Sequence, residues 1–205
     1  MREVHLYLDD VTKEEEDQAA WWGADTLEDL GELMARWLEG TITYQPAYYS
    51  TLPDPETESL IPVLVEMNRA GFVTDMSQPG YIGENRSQRA DVSGFADWET
   101  VRRIDRAIVG TDLILTSFEA SLSVPCTIAI TKTDGVPGTF DGGSLGLTTI
   151  LNDYGEDLHP GAIRSLLMAE AVTIIDFVWG RSDVLWEVVR KAVCEPCECR
   201  RGTAD

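Results

Sequence analysis

The chain has 205 residues, 43% of them hydrophobic, and a formal net charge of −20. This length and apolar content fit one domain with a hydrophobic core, and no stretch approaches the roughly eighteen uninterrupted apolar residues of a membrane-spanning helix. The excess of acid disfavours direct nucleic-acid binding, because nucleic acid phosphates repel a negatively charged chain.

The acidic residues are concentrated in the first 60 positions, which hold fifteen Asp and Glu against three Lys and Arg. Such a surface usually serves solubility; the alternative is a decoy that imitates nucleic acid for a DNA-binding protein. Met1 to His5 lack the apolar core of a signal peptide. We therefore expect a cytoplasmic protein that does not enter a membrane.

In chain order, Val4 to Leu8 alternate like an edge strand. A helix is predicted to begin after Thr26, because Asp29 stands at the capping-box position and apolar residues then recur at helical spacing. The segment Thr41–Tyr49 is rich in Thr and Tyr and favours a strand. The next helix is predicted to begin around Glu56.

The stretch from Asn68 to Ala96 reads as one binding edge. Asn68–Gly71 has the form of a helix end, because Gly tolerates the left-handed conformation just past the last turn. A short strand at Phe72–Thr74, a break at Ser77–Gly80 and an extended segment at Arg86–Phe95 follow. Binding residues concentrate on turns held by rigid elements; the alternative is an ordinary connection between a helix and a hairpin.

The second half predicts further strands and helices. Asp97 is a candidate N-cap, Leu113–Phe118 and Val124–Thr131 read as strands, and the apolar run Val172–Val178 reads as a central strand. Because helices and strands are interspersed without a regular repeat, the sequence predicts an α+β fold of mixed β-sheets flanked by helices in a single domain. The predicted organisation is an acidic N-terminal segment at 1–20, a globular domain at 21–193 and a Cys-containing tail at 194–205.

The cysteines give weak metal candidates. Cys194, Cys197 and Cys199 cluster in the tail, whereas structural zinc prefers four ligands, so a reduced tail is the favoured interpretation. Cys126, in a predicted strand, is expected to be a packed thiol.

Motifs for catalysis are missing from the sequence. There is no His-Glu-x-x-His or Gly-x-Ser-x-Gly, and His5 and His159 have no evident partner. We expect a binding protein rather than an enzyme, with no catalytic cofactor.

Three landmarks in order carry a resemblance. The first is Gly40–Tyr49, which opens with Gly-x-Ile, followed by the Pro-Glu-Thr of Pro55–Thr57. The second is the run Asn68–Pro79, of the form Asn-Arg-x-Gly-(apolar)-(apolar)-Thr-x-x-Ser-Gln-Pro, with Gln88–Ala90 behind it. The third is Ala171–Val189, which ends in Leu-Trp-x-Val-Val. Together they resemble the C-terminal regulatory domain of eukaryotic-type methylenetetrahydrofolate reductase, which binds S-adenosylmethionine and inhibits a separate catalytic barrel.

The resemblance implies a regulatory or sensing domain that binds S-adenosylmethionine or S-adenosylhomocysteine. It also implies a homodimer, because the regulatory domain of that family mediates dimerisation. It further implies an unidentified protein partner, because a catalytic barrel of about 250 residues does not fit in this chain. In that family the Glu-Thr pair and the Thr-x-x-Ser edge contribute to the ligand site. The residues carried over as ligand-binding candidates are Glu56, Thr57, Thr74, Ser77 and, in support of them, Gln88.

The sequence departs from that family in two places. Gly80 to Ser87 replaces a longer Gly- and Trp-rich insertion, and a Thr-Trp-Gly-x-(aromatic)-Pro-Gly segment has no clean counterpart. Two alternatives stay open. One is an acidic protein-interaction module that keeps the fold without the ligand, and the other is an enzyme acting on an adenosyl metabolite.

Overall fold

The structure, a computed structural model, describes residues 13–46 and 52–194. The predicted strand at Val4 to Leu8 and the cysteines Cys197 and Cys199 lie outside these residues. The helices are α1 (13–22 within the described residues), α2 (Leu27–Leu38), α3 (Ile61–Arg69), α4 (Trp98–Ile108), α5 (Gly146–Tyr154), α6 (Pro160–Leu167) and α7 (Val184–Cys194), with a 3-10 helix at Pro55–Leu60. The strands are β1 (Phe72–Gln78), β2 (Tyr81–Ile82), β3 (Arg86–Gln88), β4 (Asp91–Ala96), β5 (Leu113–Glu119), β6 (Ile128–Ala129), β7 (Thr131–Thr133), β8 (Val136–Pro137), β9 (Phe140–Asp141) and β10 (Glu170–Asp176).

A four-stranded sheet of order β1-β4-β10-β5 forms the centre of the molecule. β10 lies between β4 and β5 and is almost entirely buried, as expected for its apolar run. The predicted single-domain α+β fold is confirmed. A mixture of pairings was expected, but every strand pair within the described residues is antiparallel.

One face of the central sheet is covered by a row of helices. α2 contacts α3, α3 contacts α7 and α7 contacts α4, and the row packs against β1, β10 and β5. A side chain at Gly31 of α2 would collide with the carbonyl of Asn68, since its Cβ would lie 2.3 Å from that oxygen. Glycine therefore lets α2 pack directly on the end of α3.

Ser93 and Phe95 of β4 lie on the opposite face of the sheet, because successive side chains of a strand point to alternate faces. Phe95 packs edge to face on Tyr154 of α5, with ring centroids 6.5 Å apart. The small sheets β2-β3-β7-β8 and β6-β9 complete the domain.

Local capping signals place the helix ends. The Thr26 hydroxyl accepts from the Asp29 amide at 3.1 Å, and Asp29 Oδ2 accepts from the Thr26 amide at 3.0 Å, which completes the predicted capping box. Asp97 caps α4 as predicted. Gly71 follows α3 with φ of +96°, the left-handed conformation expected of a glycine that ends a helix.

The acidic segment extends into the packed domain. In α1, Asp17 is buried, and its Oδ2 accepts from the amide of Thr43 at 2.6 Å and from its hydroxyl at 3.0 Å. Trp21 of the same helix donates its indole N–H to the carbonyl of Tyr44 at 2.8 Å. These bonds also explain why the strand predicted at Thr41–Tyr49 is absent from its described part, residues 41–46, because the Thr43 amide bonds to a side chain and not to a neighbouring strand.

The strand predicted at Val124–Thr131 is also wrong as a continuous element. Val124 forms an isolated bridge with Ser144, and regular pairing begins only at β6. Cys126 lies between them and is exposed, so the expectation of a packed thiol is corrected.

None of the helices within residues 13–46 and 52–194 is long and apolar enough to cross a membrane.

Candidate functional site

An open cleft runs along the free edge of the central sheet, between β1, α2 and the segment that enters the 3-10 helix. Its empty space, with the open solvent at its mouth included, is about 570 Å³. Met34, Trp37 and Leu38 of α2 form its apolar wall. We call it the β1 cleft, and its polar lining is Gln45, Asp54, Thr57, Thr74, Asp75 and Ser77.

A β-bulge in β1 brings two predicted residues to the same side of the strand. Thr74 pairs with Gly94 and Ser77 with Val92, and the register shifts at Asp75 between them. In a regular strand, residues three apart point to opposite faces. Because the bulge inserts one extra residue, Thr74 and Ser77 share a face and both line the cleft.

The three predicted hydroxyls in the cleft are not equivalent. The Thr74 hydroxyl accepts from Asn68 Nδ2 at 2.7 Å, and Asn68 Oδ1 accepts from the Thr74 amide at 2.9 Å. This pair of bonds ties the end of α3 to β1. The hydroxyls of Thr57 and Ser77 form no hydrogen bond to another described residue, so they remain for a ligand.

The other two predicted residues lie beside the cleft and do not line it. Gln88 is buried and donates from Nε2 to the Pro79 carbonyl at 2.9 Å and, at 3.4 Å, to Glu56 Oε2. Its Oε1 accepts from Arg86 at 3.0 Å. The five candidates therefore form two groups, with Thr57, Thr74 and Ser77 in the cleft and Glu56 and Gln88 bonded to each other outside it.

Two further residues of the cleft were missed by the sequence analysis. Trp37 is 8% exposed and Gln45 is 3% exposed. The indole Nε1 of Trp37 and the amide Oε1 of Gln45 have no hydrogen-bond partner among the described residues. Trp37 is one of the apolar residues whose helical spacing predicts α2, and that spacing does not show whether its buried indole N–H will find an acceptor.

Asp75, the residue in the bulge, lines the cleft, and its carboxyl is tied to Tyr154, which lies outside the cleft. The carboxyl accepts a hydrogen bond from the Tyr154 hydroxyl at 2.8 Å. Burial raises the pKa of Asp75 against the lowering effect of that bond, and the charges of Asp141 and Asp153 raise it further. A cation beside Asp75 would offset the cost of burying its charge.

The structure adds no support for a metal site. Within the described residues, no group of three or more His, Cys, Asp or Glu side chains is placed to hold a metal ion. Cys194 ends α7, and its predicted companions Cys197 and Cys199 lie outside the described residues.

Fold and cleft together define a single-domain α+β protein with a polar cleft at the edge of an antiparallel sheet. The chain belongs to the family described as "Domain of unknown function (DUF6919)", whose model matches residues 16–195. A search of curated proteins gave no match. The match begins within α1, where Asp17 is already packed. The resemblance to the reductase regulatory domain stays a prediction.

Proposed function

We propose that this protein is a non-catalytic small-molecule-binding domain and that its β1 cleft takes S-adenosylmethionine or S-adenosylhomocysteine in a sensing or regulatory role. One observation carries the proposal. Trp37 and Gln45, whose buried indole N–H and amide oxygen have no partner among the described residues, line the same cleft as Thr57 and Ser77.

The chemistry of the cleft matches the chemistry of these ligands. Their amino-acid head group presents both a carboxylate and an ammonium, and their ribose presents two hydroxyls. The Trp37 N–H can donate to the carboxylate, and Gln45 Oε1 can accept from the ammonium or the ribose. An ammonium or a sulfonium beside Asp75 would favour the ionised form of this buried carboxyl, and the apolar wall of α2 suits an adenine ring.

A ligand can supply hydrogen-bond partners that Trp37 and Gln45 lack among the described residues. A buried donor or acceptor without a partner costs about 1–3 kcal/mol, and both Trp37 and Gln45 carry such a group. A ligand that bonds to both removes these penalties while burying its own apolar surface. The arrangement therefore supports recognition of a molecule with a polar head and a flat apolar part.

The proposal is tested by isothermal titration calorimetry of the full chain with each compound. We expect saturable binding of one molecule per chain, and at a hundredfold excess over the dissociation constant about 2.7 kcal/mol of added stability. Trp37→Phe keeps the ring but removes the N–H, and Ser77→Ala removes one hydroxyl. Each is expected to weaken binding about fivefold to tenfold, the value of one hydrogen bond.

The matched control is Ser87→Ala, since Ser87 lies on β3 and does not line the cleft. Wild-type affinity in this variant and reduced affinity in Ser77→Ala would locate the ligand. No saturable heat with either compound would contradict the proposal and favour an interaction module. Conversion of S-adenosylmethionine during the incubation, detected by liquid chromatography, would favour the enzyme alternative.

A further inference from the structure

A second cavity opens on the other face of the central sheet, away from the helix row. It encloses about 720 Å³ with its mouth included, and we call it the sheet cavity. It is lined in part by Ser93, Phe95 and Thr173, which occupy that face of β4 and β10. Its rim carries three exposed apolar side chains, Met76, Phe140 and Leu145.

The polar lining of this cavity includes Asp141, which is 6% exposed. Its Oδ1 accepts from the Gly142 amide at 2.6 Å and lies 3.5 Å from the Thr173 hydroxyl. Its Oδ2 is buried and accepts from no amide or hydroxyl of the described residues. Amide and hydroxyl donors therefore hold one half of this carboxylate, and the other half has only the neighbouring carboxyl of Asp91 beside it.

Two neighbouring groups on the same face of the sheet are also short of hydrogen-bond partners. Asp91 is fully buried, and its carboxyl bonds to no described group other than the carboxyl of Asp141. The hydroxyl of Thr116, the register partner of Thr173, has no partner among the described residues. Buried polar groups in folded proteins are almost always bonded, so a cluster of exceptions calls for an explanation.

A proton shared between the two carboxyls is only part of that explanation. Burial raises the pKa of Asp91 well above its usual range, and the charge of Asp141 and a hydrogen bond to it raise this pKa further. One proton satisfies one oxygen of each carboxyl but leaves the pair with a full negative charge. No Lys, Arg or His is among the described residues that line the cavity, so this charge has no counter-ion there.

We propose that the sheet cavity binds an organic ammonium ion, with its charge against the Asp141 carboxylate and its apolar body against Phe140 and Leu145. A buried carboxylate without a counter-ion is costly, and an ammonium pairs with it through charge-assisted hydrogen bonds. The exposed apolar rim gives the rest of the molecule a surface to cover. The inference does not depend on the ligand of the β1 cleft, although Asp75 and Met76 line both spaces.

Three probes of the same size separate charge from shape, namely benzylamine, benzyl alcohol and benzoate. We expect benzylamine, protonated at pH 7.5, to bind the full chain saturably in a nitrogen-15 NMR titration. Its shifts should centre on the amides of Ser93 and Thr173. Benzyl alcohol is expected to bind at least tenfold more weakly, and benzoate is expected not to bind. Equal affinity for benzylamine and benzyl alcohol would overturn the proposal.

Variants locate the interaction. Asp141→Asn removes the charge at constant shape and should weaken benzylamine binding at least tenfold, whereas Asp105→Asn, the same change on the exposed face of α4, should leave it unchanged. Leu145→Trp fills the rim without altering charge and should also abolish binding, which keeps the test decisive if Asp141→Asn fails to fold. Ser77→Ala, in the β1 cleft, should have no effect. Loss of benzylamine binding in Ser77→Ala with retention in Leu145→Trp would refute the assignment.

Discussion

The buried carboxyl of Asp91 makes the stability of this protein depend on pH. Its pKa is raised in the folded state by burial and by Asp141, so the folded state holds a proton that the unfolded state releases above about pH 4. The stabilising contribution is complete below the unfolded pKa and is lost as pH rises through the folded pKa. Above about pH 5, the contribution of Asp91 to the free energy of unfolding therefore decreases as the pH rises.

We predict that Asp91→Asn flattens this dependence. The amide keeps the shape, cannot ionise and can donate to Asp141. Calorimetric melting temperatures between pH 5 and pH 8 should fall less steeply in this variant than in the wild type. Some slope should remain, because burial also raises the pKa of Asp75. Asp105→Asn is the control and should follow the wild type, and parallel wild-type and Asp91→Asn curves would contradict the prediction.

Among the elements, α2 connects stability to the proposed site. It carries the wall of the β1 cleft through Met34, Trp37 and Leu38, and it begins at the capping box of Thr26 and Asp29. Thr26→Ala removes the hydroxyl that accepts from the Asp29 amide, and we expect a loss of about 1 kcal/mol in urea unfolding. Thr26→Ser keeps the acceptor and should lose only a small part of that. If Thr26→Ala left the midpoint unchanged, the cap would contribute nothing to α2.

Helix ends were predictable from the sequence because their signals are local. The caps at Thr26 and Asp97 bond to backbone amides in the first turn of their own helices, and Gly71 ends α3 by its own backbone conformation. A few consecutive residues therefore contain all that determines these helix ends. Strand limits were less predictable, because pairing depends on a distant partner. The threonines after α2 have strand propensity, but the buried Asp17 of α1 takes the amide of Thr43, a contact across 26 positions.

The sequence predicted some residues of the candidate site but not the geometry that brings them together. The resemblance pointed to Thr57, Thr74 and Ser77, which the fold brings into one cleft. Nothing local predicts the bulge at Asp75, because a bulge exists only relative to the register of β4. The sequence likewise could not predict that Trp37 and Gln45 carry atoms without a partner, since a missing hydrogen bond depends on how the chain packs.

At the scale of the whole molecule, we expect a homodimer. Trp98 at the start of α4 is 63% exposed, whereas Trp22, which is 50% exposed, packs edge to face on His159. Exposed aromatic residues are enriched at interfaces. Trp98 lies beside Arg102 and Arg106, a basic patch on a chain with a net charge of −20, so an acidic surface of a second copy would complement it.

The remaining acidic surface opposes association. At physiological ionic strength, salt largely screens the repulsion between charges that lie more than about 8 Å apart. Light scattering at physiological salt should therefore give twice the monomer mass of 22.7 kDa, and Trp98→Ser should shift the equilibrium to the monomer. Trp22→Ser, which removes an exposed indole that packs against His159, is the comparison and should remain dimeric. A mass near 22.7 kDa across a wide range of protein concentration would exclude the dimer. That result would also weaken the resemblance to the reductase regulatory domain, because dimerisation is one of the properties the resemblance implies.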